Sequence, residues 1–200
     1  QTKKLFEICR LREIPIITFC NKMDQESRDF FEIIQEINDL LAIDVTPMNW
    51  PVGKGKNFIG CYVFEKKLIE ILDKKNRNKF SEDQFYCDFN DEKLNSFIDQ
   101  TFIKKSIEEI EIVNQLLPKY DKENFLNGNL SPLWFGSAIN SFGITDILEG
   151  ILNFLPSPML QKAEPRNIKY DEENVTGFVF KIQANLNNKH RDRIAFVRIC

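Results

Sequence analysis

The 200-residue chain predicts an α/β architecture that gives way near its end to all-β structure, and three observations carry that prediction. Two short apolar runs, residues 14–20 and 130–135, are each followed by a polar or small-residue loop. An amphipathic helical pattern follows each loop, and strand, loop and helix in that order form the repeating unit of a parallel sheet covered by helices. Beyond residue 175, two strand-like segments are joined by a polar turn with no helix nearby, which is the pattern of a β-hairpin.

Taken in order, residues 2–12 place Leu5, Ile8 and Cys9 at helical spacing. Ile14-Pro15-Ile16-Ile17-Thr18-Phe19-Cys20 is continuously apolar and β-branched, as a strand buried on both faces requires. Asn21-Lys22-Met23-Asp24 comes directly after it. Ser27 or Asp29 is then placed to cap a helix with Phe30, Ile33, Ile34, Ile37, Leu40 and Leu41 on its apolar side. From Val45 the texture changes: residues 46–56 are turn-rich, residues 58–64 read as a strand, and residues 73–91 are hydrophilic. Apolar residues from Leu94 to Leu117 recur at threes and fours, which predicts one long helix over 92–117 stopped by Pro118. Residues 130–135 form the next strand and end in Gly136-Ser137-Ala138. Residues 143–155 read as a helix with Ile144, Ile147, Leu148, Ile151 and Leu152 inward. Pro156-Ser157-Pro158 opens a polar linker, and residues 177–184 and 193–199 are the two hairpin strands. The expected domains are 1–155, with an inserted subdomain over about 45–130, a linker at 156–174, and a β domain starting in 175–200.

Hydrophobic residues at 42% and charged residues at 28% supply an ordinary globular core and exclude a disordered or solvating chain. With 27 basic against 30 acidic residues, no domain-wide positive field exists to hold nucleic acid. No apolar run reaches the roughly 18 to 20 residues that span a bilayer, and the first residues lack a signal peptide's apolar stretch. The expectation is a soluble, cytoplasmic protein without a membrane partner. Five cysteines, with no C-x-x-C pair, argue against a disulfide framework and a zinc site. His190 is the only histidine and has no convincing catalytic or metal-ligating companions, so no metal ligand is assigned. The chain opens on Gln1 and closes on Cys200 inside a strand-like segment, which suggests a piece of a longer protein.

Asn21-Lys22-Met23-Asp24 has the form N-K-x-D at the mouth of a buried strand. An Asp carboxylate there accepts from both the N1–H and the exocyclic N2 amino group of guanine, a pairing that adenine cannot offer. At about 1.5 to 3 kcal/mol for each such bond, the pair supplies roughly 3 to 6 kcal/mol of selectivity. Asn21 would orient the loop and approach the other edge of the base, while the aliphatic stem of Lys22 lies over the ring. Gly136-Ser137-Ala138 also follows an apolar strand, and its small side chains would let the Ala138 backbone N–H donate to the guanine O6. Gly53-Lys54-Gly55-Lys56 is not a phosphate loop, because Trp50 stands where a glycine is required and no Ser or Thr follows Lys56. Lys189, His190, Arg191 and Arg193 form the densest basic cluster, read either as a contact to RNA phosphates or as a solvated hairpin. Trp50 is expected to be a packed aromatic of the insertion.

N-K-x-D after one strand and G-S-A after a later one resemble the two base-reading motifs of the GTPase domain. The 113 positions between Asp24 and Ser137 exceed what one helix and one strand need, hence the inserted subdomain. The segments at 18–24, 49–56, 135–143, 177–185 and 189–196 resemble the peptide chain release factor 3 family of translational GTPases. The last two of these separate the chain from the similar elongation factor G. The resemblance implies the C-terminal half of a P-loop GTPase domain with an inserted α+β subdomain, followed by the start of a β-barrel domain. It implies binding of GTP and GDP through Asn21, Lys22, Met23, Asp24, Gly136, Ser137 and Ala138. It also implies Mg²⁺, action on the ribosome to dissociate class-I release factors, and ribosomal RNA contacts through Lys189, Arg191 and Arg193. The phosphate loop, the switch threonine and the D-x-x-G segment are absent from these 200 residues, so no catalytic residue is assigned and the Mg²⁺ ligands are expected upstream of Gln1. The competing expectations are another translocation-type GTPase and a ribosome-binding module that does not hydrolyse nucleotide.

Overall fold

A computed structural model describes residues 2–72, 85–157, 161–164, 166–169, 171–184 and 193–199. The chain divides into two compact units, Gln1–Leu155 and Pro156–Cys200.

The first unit begins with helix α1 (Thr2–Leu11), strand β1 (Thr18–Cys20), helix α2 (Phe30–Leu41) and strand β2 (Asp44–Pro47). Strands β3 (Asn49–Val52), β4 (Gly60–Val63), β5 (Leu68–Ile71) and β6 (Tyr86–Cys87) follow. Helices α3 (Gln100–Leu116) and α4 (Lys122–Leu126), strand β7 (Leu130–Phe135) and helix α5 (Ile144–Phe154) complete it. A three-stranded parallel sheet runs β1-β7-β2, and β3-β4-β5-β6 form an antiparallel sheet. Every residue of β7 is buried, consistent with its continuous apolar sequence and central position.

Strand β1 is shorter than the apolar run predicts. Its ladder with β7 begins at Thr18↔Leu133, one residue past Pro132. Proline has no N–H, so Pro132 cannot carry the ladder back towards Ile16. Residues 44–52, read as mostly turn, are two strands instead. Asp44–Pro47 is an edge of the parallel sheet, partly within the span expected for the insertion, and Asn49–Val52 is an edge of the antiparallel sheet. Prolines at 47 and 51 signal turns to a sequence reading, yet an edge strand tolerates them because one side of its backbone has no neighbour to bond. Burial of Trp50 and Val52 fixes β3 in place.

The long helix predicted over 92–117 is two elements: a 3₁₀ segment at Glu92–Ser96, then α3. Asp99 separates them, since its carboxylate accepts from the Thr101 backbone N–H at 2.8 Å and the Thr101 hydroxyl at 2.6 Å. A helix begins at such a cap rather than running through it. Helix α5 turns a different face inward from the one predicted. Asp146 and Gly150 are buried, while Leu148, Ile151 and Leu152 are exposed. The Trp134 ring lies so close to Gly150 that a Cβ there would sit 2.5 Å from it, and Phe154 meets the same ring with centroids 5.9 Å apart. Helix α5 therefore docks on β7 through its smallest residue and one aromatic.

One core joins Phe30, Ile34, Val45, Trp50, Leu133 and Phe135, and a second fills the antiparallel sheet with Val52, Ile59, Ile69 and Leu94. Trp50 belongs to the first. Its ring meets Phe30 at 5.7 Å and Phe135 at 5.6 Å, and its indole N–H donates to Glu109 at 2.9 Å. In the second unit, β8 (Gln161–Lys162) pairs with β9 (Asn167–Ile168), and β10 (Gly177–Ala184) pairs antiparallel with β11 (Arg193–Ile199) around a bulge at Val179/Lys181.

Candidate functional site

The two loops singled out by the sequence lie side by side. Asn21–Asp24 follows the C-terminal end of β1 and Gly136–Ala138 that of β7, and these strands are parallel neighbours. In parallel α/β sheets this edge is where ligands bind. The chain crosses between the loops through backbone: Gly136 N–H donates to Cys20 C=O at 3.0 Å, and Met23 N–H donates to Gly136 C=O at 3.1 Å. Gly136 must be glycine for the loops to meet, since a Cβ would lie 2.6 Å from the Phe142 carbonyl and 2.7 Å from the Phe19 ring.

Side chains complete the junction. The Ser137 hydroxyl donates to Asp24 Oδ1 at 2.5 Å. Asn140 Nδ2 donates to Ser137 Oγ at 2.8 Å, so the serine's own proton is the one left to point at Asp24. Asp24 is thereby fixed through one carboxylate oxygen. Its other oxygen has no hydrogen-bond partner among the described residues, and the residue is only half-buried. Asn21 Oδ1 accepts from Lys22 N–H at 2.8 Å and from Ala138 N–H at 2.9 Å, lacing one loop to the other. The bond to Lys22 N–H supports a left-handed backbone at that residue, φ 71°. The Lys22 side chain is exposed.

Met23 and Ala138 differ from the expected roles. Met23 is buried in the core, so it anchors the loop and its side chain does not face a ligand. The Ala138 N–H, expected to be open towards a base, is engaged by Asn21. Lys189, His190 and Arg191 lie outside the described residues, and Arg193 opens β11 in the second unit. Lys54 precedes and Lys56 lies within a 3₁₀ turn (Gly55–Asn57) in which Gly55 abuts the Glu26 carboxylate, just beyond Asp24.

The sequence reading missed three further groups. Asn140 is one, since nothing in its spacing advertises a bond to Ser137. Asn49 is another: buried at 1% exposure, it donates from Nδ2 to the Phe135 carbonyl at 3.0 Å and accepts from the Phe135 N–H at 2.7 Å. The third is a pair of buried carboxyls, Glu70 on β5 and Asp146 on α5, hydrogen-bonded to one another. Burial first, and then the charge and hydrogen bond of Asp146, push the Glu70 carboxyl up to about 9. Among the described residues, no backbone N–H and no donor side chain bonds to Glu70 Oε2 or Asp146 Oδ2. Nearby, Asn49, Lys66, Trp134, Asp146, Glu149 and Asn153 border a cavity of about 60 Å³, too small for a nucleobase. Among the described residues, no group of three or more His, Cys, Asp and Glu is placed to hold a metal ion, and no helix is long and apolar enough to cross a membrane.

Residues 1–157 match the family described as elongation factor Tu GTP binding domain. Peptide chain release factor 3 of Buchnera aphidicola subsp. Schizaphis graminum is 40% identical over 199 residues, a match that covers the whole of this chain and 38% of that protein. The protein of the same name from Buchnera aphidicola subsp. Acyrthosiphon pisum (strain Tuc7) is 42% identical over 200 residues, 37% of its length. That of Symbiobacterium thermophilum is 41% identical over 199 residues, 38% of its length. The chain thus spans under two-fifths of these relatives. A solved structure from Thermus thermophilus aligns with TM-score 0.60 at 17% identity, over 99% of this chain and 29% of that one, which is a likeness of fold.

Proposed function

The chain belongs to the elongation factor Tu GTP binding domain family, and from that membership we propose that its paired loops read the guanine base of GTP and GDP. The observation that carries the reading is the Ser137–Asp24 hydrogen bond, which holds one carboxylate oxygen and leaves the other to the ligand. A carboxylate fixed in this way accepts from guanine N1–H and N2 amino together, at about 1.5 to 3 kcal/mol per charged bond. Lys22, exposed on a constrained backbone, lays its stem over the base; Asn21 ties the loops and offers its Nδ2 to the ring edge. Gly136, Ser137 and Ala138 form the facing wall, and Met23 anchors the first loop from the core. When bound, GTP supplies the phosphate whose hydrolysis drives a conformational cycle. The residues of this chain orient the base end, and groups upstream hold the phosphates and Mg²⁺.

The intact protein is, in this reading, a cytoplasmic GTPase of translation that acts on the ribosome to dissociate class-I release factors. Support comes from 40 to 42% identity to proteins named peptide chain release factor 3, sustained over the whole chain and not only over the matched GTP binding domain. Lys189, Arg191 and Arg193 are proposed to meet ribosomal RNA phosphates. Residues 156–174 serve as a linker and 175–200 as the start of a β-barrel.

Asp24→Asn in the intact protein tests the base reading. An amide donates where the carboxylate accepted, so GDP binding should weaken by two orders of magnitude or more (about 3 kcal/mol) while xanthosine diphosphate binding rises. Unchanged GDP affinity would remove Asp24 from the site. The ribosomal role is tested by release-factor turnover on termination complexes, which should depend on the protein and on GTP; stimulation of translocation instead would move it to the elongation class.

A further inference from the structure

Asn49 occupies the place where the two sheets of the first unit part company. Strand β2 runs beside β7 up to Pro47↔Leu133, and Met48 N–H still donates to the Leu133 carbonyl at 2.8 Å. The main chain then leaves to become β3 of the antiparallel sheet, and Phe135, the last residue of β7, loses its backbone neighbour on that side. The Asn49 carboxamide takes the neighbour's place. Like the N–H and C=O of a single strand residue, its Oδ1 acceptor and one Nδ2–H donor point the same way, and it makes both bonds to Phe135. The Cys61 thiol reaches the same Phe135 carbonyl at 3.6 Å.

Phe135 directly precedes Gly136-Ser137-Ala138, so its backbone sets where that loop starts. Gly136 C=O receives Met23 N–H, and Ser137 holds Asp24. A path of consecutive bonds therefore leads from the antiparallel sheet, through Asn49 and Phe135, to the carboxylate placed against the base. Without the amide, the Phe135 N–H and C=O stay buried and lose these side-chain bonds, and the loop must shift to find others. Leu keeps the branched heavy-atom skeleton of Asn, although bulkier, and offers neither bond, whereas Thr, close to Asn in volume, offers a hydroxyl that restores one at most.

We infer that Asn49 is a positioning residue for guanine selectivity, through which the antiparallel sheet sets the geometry of the Gly136–Ala138 loop and hence of Asp24. This rests on the base reading given above. The test uses the intact protein and compares affinities for GDP and inosine diphosphate, which lacks only the N2 amino group. Asn49→Leu should weaken GDP about tenfold and shrink the preference for GDP over inosine diphosphate by about fivefold. A double-mutant cycle with Ser137→Ala should be non-additive, because both changes act on one path. If Asn49→Leu does not fold, Asn49→Thr carries the same readout with a smaller shift. A preference left intact by the folded variant, or an additive cycle, overturns the inference, since a residue that only supports the core would weaken both nucleotides equally. Asp24→Asn measured in parallel separates the two claims: if it too leaves the preference intact, the base reading has failed, and if it collapses the preference while Asn49 variants do not, only the role of Asn49 has.

Discussion

The junction of the two loops and the Glu70–Asp146 pair are both polar clusters set against apolar cores, and they differ in how their groups are satisfied. At the junction, Asn140 donates to Ser137, Ser137 donates to Asp24, and Asn49 matches both backbone groups of Phe135. Each of these bonds joins a donor to an acceptor, so the network holds one geometry. In the carboxyl pair, two buried acids meet one another, and among the described residues no donor group reaches Glu70 Oε2 or Asp146 Oδ2. Burial first disfavours the charged form of Glu70, and two acceptor-rich groups satisfy one another only by retaining a proton; together these push the Glu70 carboxyl up. The lesson is that a polar cluster made of complementary donors and acceptors orients chemistry, while one made of like groups stores a proton instead.

The comparison can be broken most forcefully through pH. Glu70 titrates near 4.5 when free and is pushed up to about 9 in the fold, so folding takes up a proton between those values. Its contribution to stability is whole below pH 4.5, declines as pH rises and is gone above about pH 9, with a slope of at most about 1.4 kcal/mol per pH unit. The groups around it are Asp146 and Glu149 on α5, which raise it, and Lys66 in the β4–β5 turn, which lowers it; Cys61 and Tyr86 feel its charge in turn. Glu70→Gln should flatten the unfolding free energy between pH 5 and 9 and leave the variant more stable than the parent at pH 8, by on the order of 2 to 3 kcal/mol. Denaturant melts across pH measure this, and an unaltered slope would show that the pair holds no proton.

A smaller effect sharpens the other side. Ser137→Ala removes the donor to Asp24 and leaves Asn140, half-buried, to find water. GDP affinity should fall about tenfold, with the pH dependence of stability untouched. A calorimetric titration with GDP checks it, and full affinity would mean that Asp24 needs no such brace. Smallest is Asp99→Ala, remote from both clusters in role: loss of the α3 cap should lower stability slightly at neutral pH, by an amount that fades in acid because hydrogen bonds from Thr101 hold the Asp99 carboxyl below its usual range, and leave base selectivity unchanged. If base selectivity moved with it, the site would be sensitive to general loosening and not to the loop junction in particular.

The adjacency of the two loops was legible in the sequence. N-K-x-D and G-S-A announce themselves because each follows a run of buried strand residues, and that context places them at one sheet edge. Asn49 and Asn140 were not legible, because an asparagine amid turn residues looks the same whether its amide meets solvent or a buried backbone. Strands β2 and β3 were hidden by their prolines, which local chemistry reads as turns and which edge position makes harmless. The inward face of α5 was misread because period alone places leucines and isoleucines in the core, whereas Trp134 selects Gly150.

By itself, then, the sequence determined what depends on neighbours a few residues apart: the helix and strand type of the strongly patterned segments, the cap at Asp29, and the order of the loops. The tertiary structure alone decided what depends on contacts between segments far apart in the chain: the β1-β7-β2 order, the Asn49 bridge to Phe135, the inward face of α5, and the meeting of Glu70 with Asp146. The physical reason is range. Propensity, capping and periodicity act through bonds and turns along the chain, whereas packing and the satisfaction of buried polar groups are settled only between segments that folding brings together.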